Sequence, residues 1–262
     1  MDDGTRWLAA YDDQLRAQAE TTGAMRTRQL GPLHLATFAG GRGFITYRDL
    51  NVADASATRR LVPKALSHFR SDRDVTRVEW KTRGHDHAPG LHEALVAHGF
   101  VSQDTETILI GEAHQLSVTV PLPDGVTLRQ VTAEADVRRM SALQDEVFGD
   151  PVSADRADAV VHRLSLDDGM ELWVAEAGDQ MVSAGRLEPV PGTDFAGIWG
   201  GVTRPEWRGR GIYRALTAAR ARSALRLGAT LIHSDSTDFS RPILERSGLM
   251  AVSTTTPYLW QR

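Results

Sequence analysis

The run Arg208-Gly209-Arg210-Gly211-Ile212-Tyr213 has the residue types and spacing to hold a phosphate. It follows an apolar, Gly-broken segment, Phe195 to Val202, that reads as a strand, and it opens a run that reads as an amphipathic helix. Two residues without Cβ let the backbone turn tightly and come close to a ligand. The helix leaves its first amide N–H groups unpaired and carries a partial positive charge at that end. The two effects together make a cradle for a phosphate or pyrophosphate. Seven Arg and a single Glu between positions 204 and 226 add side-chain charge of the same sign. The same residues argue against two other phosphate chemistries. A dinucleotide Gly-x-Gly-x-x-Gly turn needs a third glycine where Arg214 stands. A Walker loop needs Gly-Lys-Ser/Thr, which does not occur here.

Other chemistry-bearing types are scattered. His85-Asp86-His87, with His92 and His98 nearby, has the look of a metal cluster, but loop histidines beside an aspartate are commonly solvated, and no metal is expected. His233 and Asp235 alternate on one strand face at the edge of the cradle. Trp80, Trp173, Trp199 and Trp207 read as core or rim packing.

The elements that must position these residues fall into two sets. Pro121-Leu122-Pro123-Asp124-Gly125 is turn-like and follows a polar stretch, as a linker would, so the expected domains are 1–118 and 119–262. In the first, helices are expected at Trp7 to Ala19, Ala55 to Phe69 and Pro89 to His98. Strands are expected at Leu33 to Thr37, Gly43 to Tyr47, Val75 to Lys81 and Phe100 to Ile110. In the second, Val126 to Gln130 is a strand, and Thr132 caps a helix to Phe148 with Val137, Met140, Leu143, Gln144 and Val147 on one face. Ser153 caps another helix, to Leu166. Leu172 to Glu176 and Val182 to Glu188 form a hairpin. The helix from Tyr213 to Leu227 buries Leu216, Ala219 and Leu227. A strand at Thr230 to Ser234, a short helix capped by Ser240 and a closing strand at Val252 to Trp260 complete the set. Val78-Glu79-Trp80, Leu91 to Ala97 and Gly99-Phe100 parallel Leu231-Ile232-His233, Ile243 to Arg246 and Gly248-Leu249, a weak internal repeat that suggests duplication.

Composition bounds the partners. The chain has 262 residues, 41% hydrophobic and 24% charged, as soluble globular proteins do. A net charge of −4 argues against a dedicated nucleic-acid binder. The absence of cysteine removes disulfides, thiol nucleophiles and Cys-based metal sites. Met1-Asp2-Asp3-Gly4 is the wrong start for a signal peptide and no apolar run approaches bilayer length, so a cytoplasmic protein without membrane partners is expected.

The run from Gly201 to Leu216 resembles the GNAT superfamily of N-acetyltransferases, whose signature is Arg/Gln-x-x-Gly-x-Gly/Ala between a strand and a helix. Arg208, Gly209 and Gly211 match it; Tyr213 stands where the family usually has Gly or Ala. The likeness extends over about 125 to 262 in element order and more faintly over 1–111. It implies an α/β fold of two GNAT-like units in tandem, each a mixed, mostly antiparallel sheet flanked by helices, with the first unit degenerate. It implies acetyl-CoA as acyl donor and a primary amine as acceptor, on a small molecule or else on a peptide or protein; a homodimer is compatible with it. The pyrophosphate would lie on Arg208, Gly209, Arg210, Gly211, Ile212 and Tyr213, the pantetheine arm on backbone groups of Gly201, Val202 and Thr203, and Ser240 would join that side. The family attacks the thioester directly with the amine, so the amine must lose a proton and the leaving thiolate must gain one. The family's usual tyrosine acid is replaced by Leu244, which leaves Tyr258, Tyr213 or water for that role. Glu188, His233 and Asp235, with Glu146 and Asp194, are candidate bases. The missing acid also motivates a different class of function, a non-catalytic acyl-CoA-binding or sensing module.

Overall fold

A computed structural model describes residues 2–52 and 54–262; Met1, the first residue of the opening tetrapeptide, and residue 53 lie outside that set. The elements in chain order are α1 (Asp3–Gln14), β1 (Arg26–Leu30), β2 (Leu33–Phe38), β3 (Arg42–Thr46), α2 (Ala55–Arg70), β4 (Arg77–Arg83), α3 (Leu91–Ala97), β5 (Val101–Ser102) and β6 (Glu106–Glu112). They continue with α4 (Ala113–Leu116), β7 (Val126–Val131), α5 (Glu134–Phe148), α6 (Ala154–Leu164), β8 (Glu171–Ala177), β9 (Gln180–Pro189) and β10 (Phe195–Thr203). The last are α7 (Ile212–Arg226), β11 (Leu231–Ser236), α8 (Arg241–Arg246) and β12 (Met250–Gln261). Among the described residues no helix is long and apolar enough to cross a membrane.

The chain folds as two compact units, Met1–Ile108 with Val252–Arg262, and Leu109–Ala251. This differs from a division at 118/119 in two ways. The expected linker belongs wholly to the second unit, and the closing strand belongs to the first. The linker is not free chain: Arg222 Nη1 donates to the Val118 carbonyl at 3.0 Å, and Ala113 and Leu116 of α4 are buried in the core of the second unit. Polar residues and prolines hid this packing, because the stretch fills its contacts with backbone atoms and a few apolar side chains.

In the first unit the strands run β1-β2-β3-β4-β12, with β5 against β12. The β1, β2 and β3 pairings are antiparallel, β3 and β4 are parallel, and β12 is antiparallel to β4 from Thr255↔Arg83 to Gln261↔Arg77. α2 makes the crossover between β3 and β4, burying Val62, Ala65, Leu66 and Phe69 at helical spacing. The polar strand β1 was not legible in the sequence, since Arg26 to Gln29 are exposed and show no alternation.

The second unit repeats the scheme in the order β11-β10-β9-β8-β7. β7 to β10 are antiparallel, and β10 and β11 are parallel with α7 as crossover. α7 packs close because its buried side is rich in alanine: 215, 218, 219, 221 and 224. Leu216 and Ala219 are buried as expected, but Leu227 is 47% exposed, because it follows the last helical turn and leaves the packed face. Ser153 caps α6 by accepting from the Arg156 amide at 3.2 Å. Thr132 does not cap α5; the cap position is Ala133, with no side-chain bond.

One buried ion pair ties the first unit together. Glu20, on the 3₁₀ turn Ala17–Thr21, meets Arg83 at the end of β4 and accepts from the Thr46 hydroxyl. Burial pushes the Glu20 carboxyl up, but Arg83, Lys81 and Thr46 together hold it below its ordinary value. A carboxyl with a lower pKa folded than unfolded stabilises the fold above the unfolded value, about 4.3, and that contribution is lost as the pH falls through the folded value. The unfolding midpoint in urea should therefore drop steeply below about pH 4.3, and Glu20→Gln should flatten the drop while costing about 3–5 kcal/mol at pH 7. An equally steep acid limb in Glu20→Gln would show that other carboxylates dominate.

Candidate functional site

β10 and β11 pair over only three residues, Phe195↔Leu231 to Gly197↔His233, although β10 continues to Thr203 and β11 to Ser236. Beyond the paired stretch, β10 carries an irregularity against β9: Trp199 pairs with Arg186 and Val202 with Ala184, so one extra residue is accommodated. The bulge falls at Gly200-Gly201, and Gly200 has φ of +58°. Two side chains clamp it. Gln144 of α5 donates to the Gly200 carbonyl at 2.7 Å, and a Cβ on Gly201 would stand 2.7 Å from the Tyr213 ring and 2.8 Å from its hydroxyl. Glycine at 201 is a matter of space here, since Tyr213 lies flush against the backbone.

The Gly-rich turn lies between Thr203 and α7. Gly209 and Gly211 have φ of +74° and +80°, and a Cβ on Gly209 would meet nothing within 4 Å. Space above the turn is open, and α7 begins at Gly211 with no side-chain cap. These features fit a phosphate group on the amides at the helix head. Ile212 can serve only through its backbone, because its side chain is buried beside Val126, Ala175 and Val182. Of the seven arginines, Arg208, Arg210 and Arg214 are exposed around the turn, with no ion pair among the described residues. Arg208 Nε donates to the Thr203 carbonyl at 3.1 Å, and the Arg210 guanidinium lies 4.9 Å from the Trp207 ring centre. Arg204 is paired with Glu146 at 2.9 Å, which also occupies one candidate base. Arg220 is buried to 1% exposure with its charge inside α7, so the field at the turn comes from three arginines rather than seven.

Arg220 was not singled out by its sequence, which reads as one more basic helix residue. Its Nη1 donates to the Arg186 carbonyl at 3.1 Å and its Nη2 to Thr217 Oγ1 at 3.3 Å. Burial pulls its pKa down, and its electrostatic interaction with the nearby Tyr213 opposes that.

The opposite face of the sheet holds the candidate bases. Leu187, Ala196, Ile198 and Ile232 share a core cluster with α7, so strand alternation turns Glu188, Gly197, Trp199, His233 and Asp235 the other way. Glu188 and His233 are both in register with Gly197 and stand roughly 10 Å apart across the sheet. The Trp199 indole covers the gap: a Cβ on Gly197 would stand 2.4 Å from its Nε1, and its ring is edge-on to His233 at 5.1 Å. Glu188 is flanked by Arg186 at 3.4 Å and Arg163 at 3.9 Å. Asp194 instead serves the strand ends, its carbonyl accepting from the Thr230 and Leu231 amides at 2.9 Å.

Four expected site residues are placed otherwise. Tyr258 is a core residue of the first unit, paired with Trp80, and its hydroxyl meets His92 Nδ1 at 2.9 Å. It is committed there because β12 is a strand of that unit. Ser240 heads α8 without capping it, and its hydroxyl donates to the Thr237 carbonyl at 3.4 Å. Val202 and Thr203 are buried, and their carbonyls already accept from Ser183 Oγ and Arg208 Nε. Leu244 is 1% exposed in the core of the second unit, so that position presents no polar group.

Residues 137–248 match the model of the acetyltransferase (GNAT) family. The matched stretch contains both the splayed strands and the Gly-rich turn. The second unit carries the GNAT domain, and the whole chain has the fold of tandem GNAT proteins. It is similar to a GCN5-related N-acetyltransferase from Kribbella flavida, at 17% identity over 98% of this chain and 95% of that one, with a TM-score of 0.70. It is similar to a tandem GNAT protein from the clavulanic acid biosynthesis pathway, at 15% identity over 99% and 96% of the two chains, with a TM-score of 0.63. A GCN5-related N-acetyltransferase from Sphaerobacter thermophilus aligns at 15% identity over 88% of this chain and 76% of that one, with a TM-score of 0.63. Among curated proteins, none matches this sequence.

Because Tyr213 rests on Gly201, Gly201→Ala should force the ring aside and cost about 1–3 kcal/mol in urea unfolding. Adding Tyr213→Leu should recover part of that loss. An unchanged midpoint in Gly201→Ala would show that the ring does not lie against the bulge.

Proposed function

We propose that the second unit transfers an acetyl group from acetyl-CoA to a primary amine of a small molecule, with the protein acting in the cytoplasm. The observation that carries this reading is the row Glu188–Gly197–His233 under the Trp199 indole, on the sheet face beside the point where β10 and β11 part. Carboxylates at 188 and 235 and an aromatic face suit an ammonium group. That group must shed a proton before its lone pair can attack, and Glu188, His233 and Asp235 are the groups to accept it. The head of α7, with Arg208, Arg210 and Arg214, holds the pyrophosphate, and the Gly201 bulge borders the pantetheine arm. Acetyl-CoA supplies the activated carbonyl carbon when bound. Tyr213 is the group in this unit to protonate the thiolate, since its hydroxyl lies against Gly201 of the bulge.

The burial of Leu244, where the family usually has its acid, favours a second reading, an acyl-CoA-binding module without turnover. Release of free thiol from acetyl-CoA over a panel of primary amines separates the two. The transferase reading expects turnover with some amine; tight binding with none across the panel would support the binding module. For the transferase, Tyr213→Phe should lower kcat by up to roughly 10²–10⁴-fold with the acetyl-CoA Kd little changed. Full activity in Tyr213→Phe would leave water to protonate the thiolate. Gly211→Val should abolish binding, because a β-branched residue at φ of +80° is strained and shifts the backbone whose amides form the cradle.

A further inference from the structure

The histidines with the look of a metal cluster go to separate partners. His98 Nδ1 meets the Ala94 carbonyl at 2.8 Å, His92 meets Tyr258, and His85 joins a chain of three residues in the first unit. Ser253 Oγ of β12 lies 2.5 Å from His85 Nδ1, and His85 Nε2 lies 3.0 Å from Asp12 Oδ1 of α1. Serine, imidazole and carboxylate thus stand in sequence within hydrogen-bond reach, as acyl transfer through a serine nucleophile requires.

The partners fix the protons. Asp12 also accepts from Arg16 Nη1 at 2.9 Å, and His85 and Arg16 hold its carboxyl below the ordinary value against the upward push of burial. An ionised carboxylate only accepts, so the 3.0 Å contact with Asp12 is made with the hydrogen on His85 Nε2; Arg16 Nη1 lies farther from the same nitrogen, at 3.4 Å. Nδ1 then has the lone pair, and Ser253 donates its hydroxyl proton to it. The imidazole is also held in place. The Asp86 carboxylate accepts from the Arg83 amide at 3.1 Å and from Arg16, and Gly84 donates to the Thr254 carbonyl at 2.9 Å, so the backbone on both sides of His85 is tied down. Arg16 is itself buried and donates to the Tyr47 carbonyl at 2.7 Å. The site still opens to solvent, with the His85 side chain 23% exposed, that of Asp12 30%, and Ser253 half-buried.

We propose that Ser253, His85 and Asp12 form a second, hydrolytic acyl-transfer site that acts on small activated carboxylic esters. Ser253 Oγ bonds to the ester carbonyl carbon while its proton passes to His85 Nδ1. The bond from that carbon to the alcohol oxygen breaks, and the same proton goes to the departing alcohol. Water then attacks the acyl-serine, giving its proton to His85, which returns it to Ser253 Oγ as the carboxylic acid leaves. Asp12 orients the ring and stabilises the imidazolium that forms in each half.

The test uses the full chain with a fluorophosphonate serine probe and with p-nitrophenyl acetate. The wild-type protein should be labelled on the peptide containing Ser253 and should release nitrophenol; Ser253→Ala should lose both. Asp12→Asn and His85→Gln should slow both by roughly 10²–10⁴-fold at an unchanged melting temperature. Ser253→Ala removes only a hydroxyl from a half-buried position, so it decides the matter even if the other two variants unfold. Labelling no greater than in Ser253→Ala, or a label on another residue, would overturn the proposal.

Discussion

The second unit depends on the parting of two parallel strands after three residue pairs. Strand pairing in the middle of a sheet normally runs to the strand ends, because unpaired backbone groups are costly to bury. Here β10 leaves β11 at Gly197 and then takes one extra residue at Gly200-Gly201. Gln144 satisfies the Gly200 carbonyl from one side, and Tyr213 fills the space over Gly201 from the other. The same Tyr213 lies in the first turn of α7, so the bulge, the helix head and the phenol form one mechanical unit. The open Gly-rich turn follows that feature in the chain, and the row of Glu188, Trp199 and His233 lies on the sheet face turned away from α7.

The first unit repeats the scheme with a different helix head and a covered strand. Its parallel pair β3 and β4 is also joined by a crossover helix. At the head of α2, however, the Asp54 side chain accepts from the Ala57 amide at 2.9 Å. A carboxylate of the protein's own thus occupies the anion position that a phosphate would take. Gly43 of β3 is pressed by Phe69 of α2, with 2.7 Å from its would-be Cβ to the ring, so helix packing closes over the strand. The expectation that this unit is degenerate agrees with two of its features: the helix head is capped and the strand is covered.

The sequence was most legible where local rules and function coincide. The strand, turn and helix around Arg208 to Tyr213 and the spacing of α2 and α5 needed only periodicity and glycine placement. What it could not disclose were long-range choices. β12 pairs with β4, some 170 residues away, and takes Tyr258 with it, so a tyrosine that looked available for thiolate chemistry is bound to His92. Arg220 reads as one of seven similar arginines, yet its position on the buried side of α7 sets it apart. His85 and Asp12 are adjacent only because α1 and the loop after β4 pack together, and their relation to Ser253 spans most of the chain.

The central claim is that a single acyl-CoA site exists, at the head of α7. Calorimetric titration of the full chain with acetyl-CoA tests it most directly. One molecule bound per chain is the predicted result. Two bound molecules would contradict the reading of the Asp54-capped α2 as closed to phosphate, and no binding would contradict the assignment of the Gly209–Gly211 turn itself.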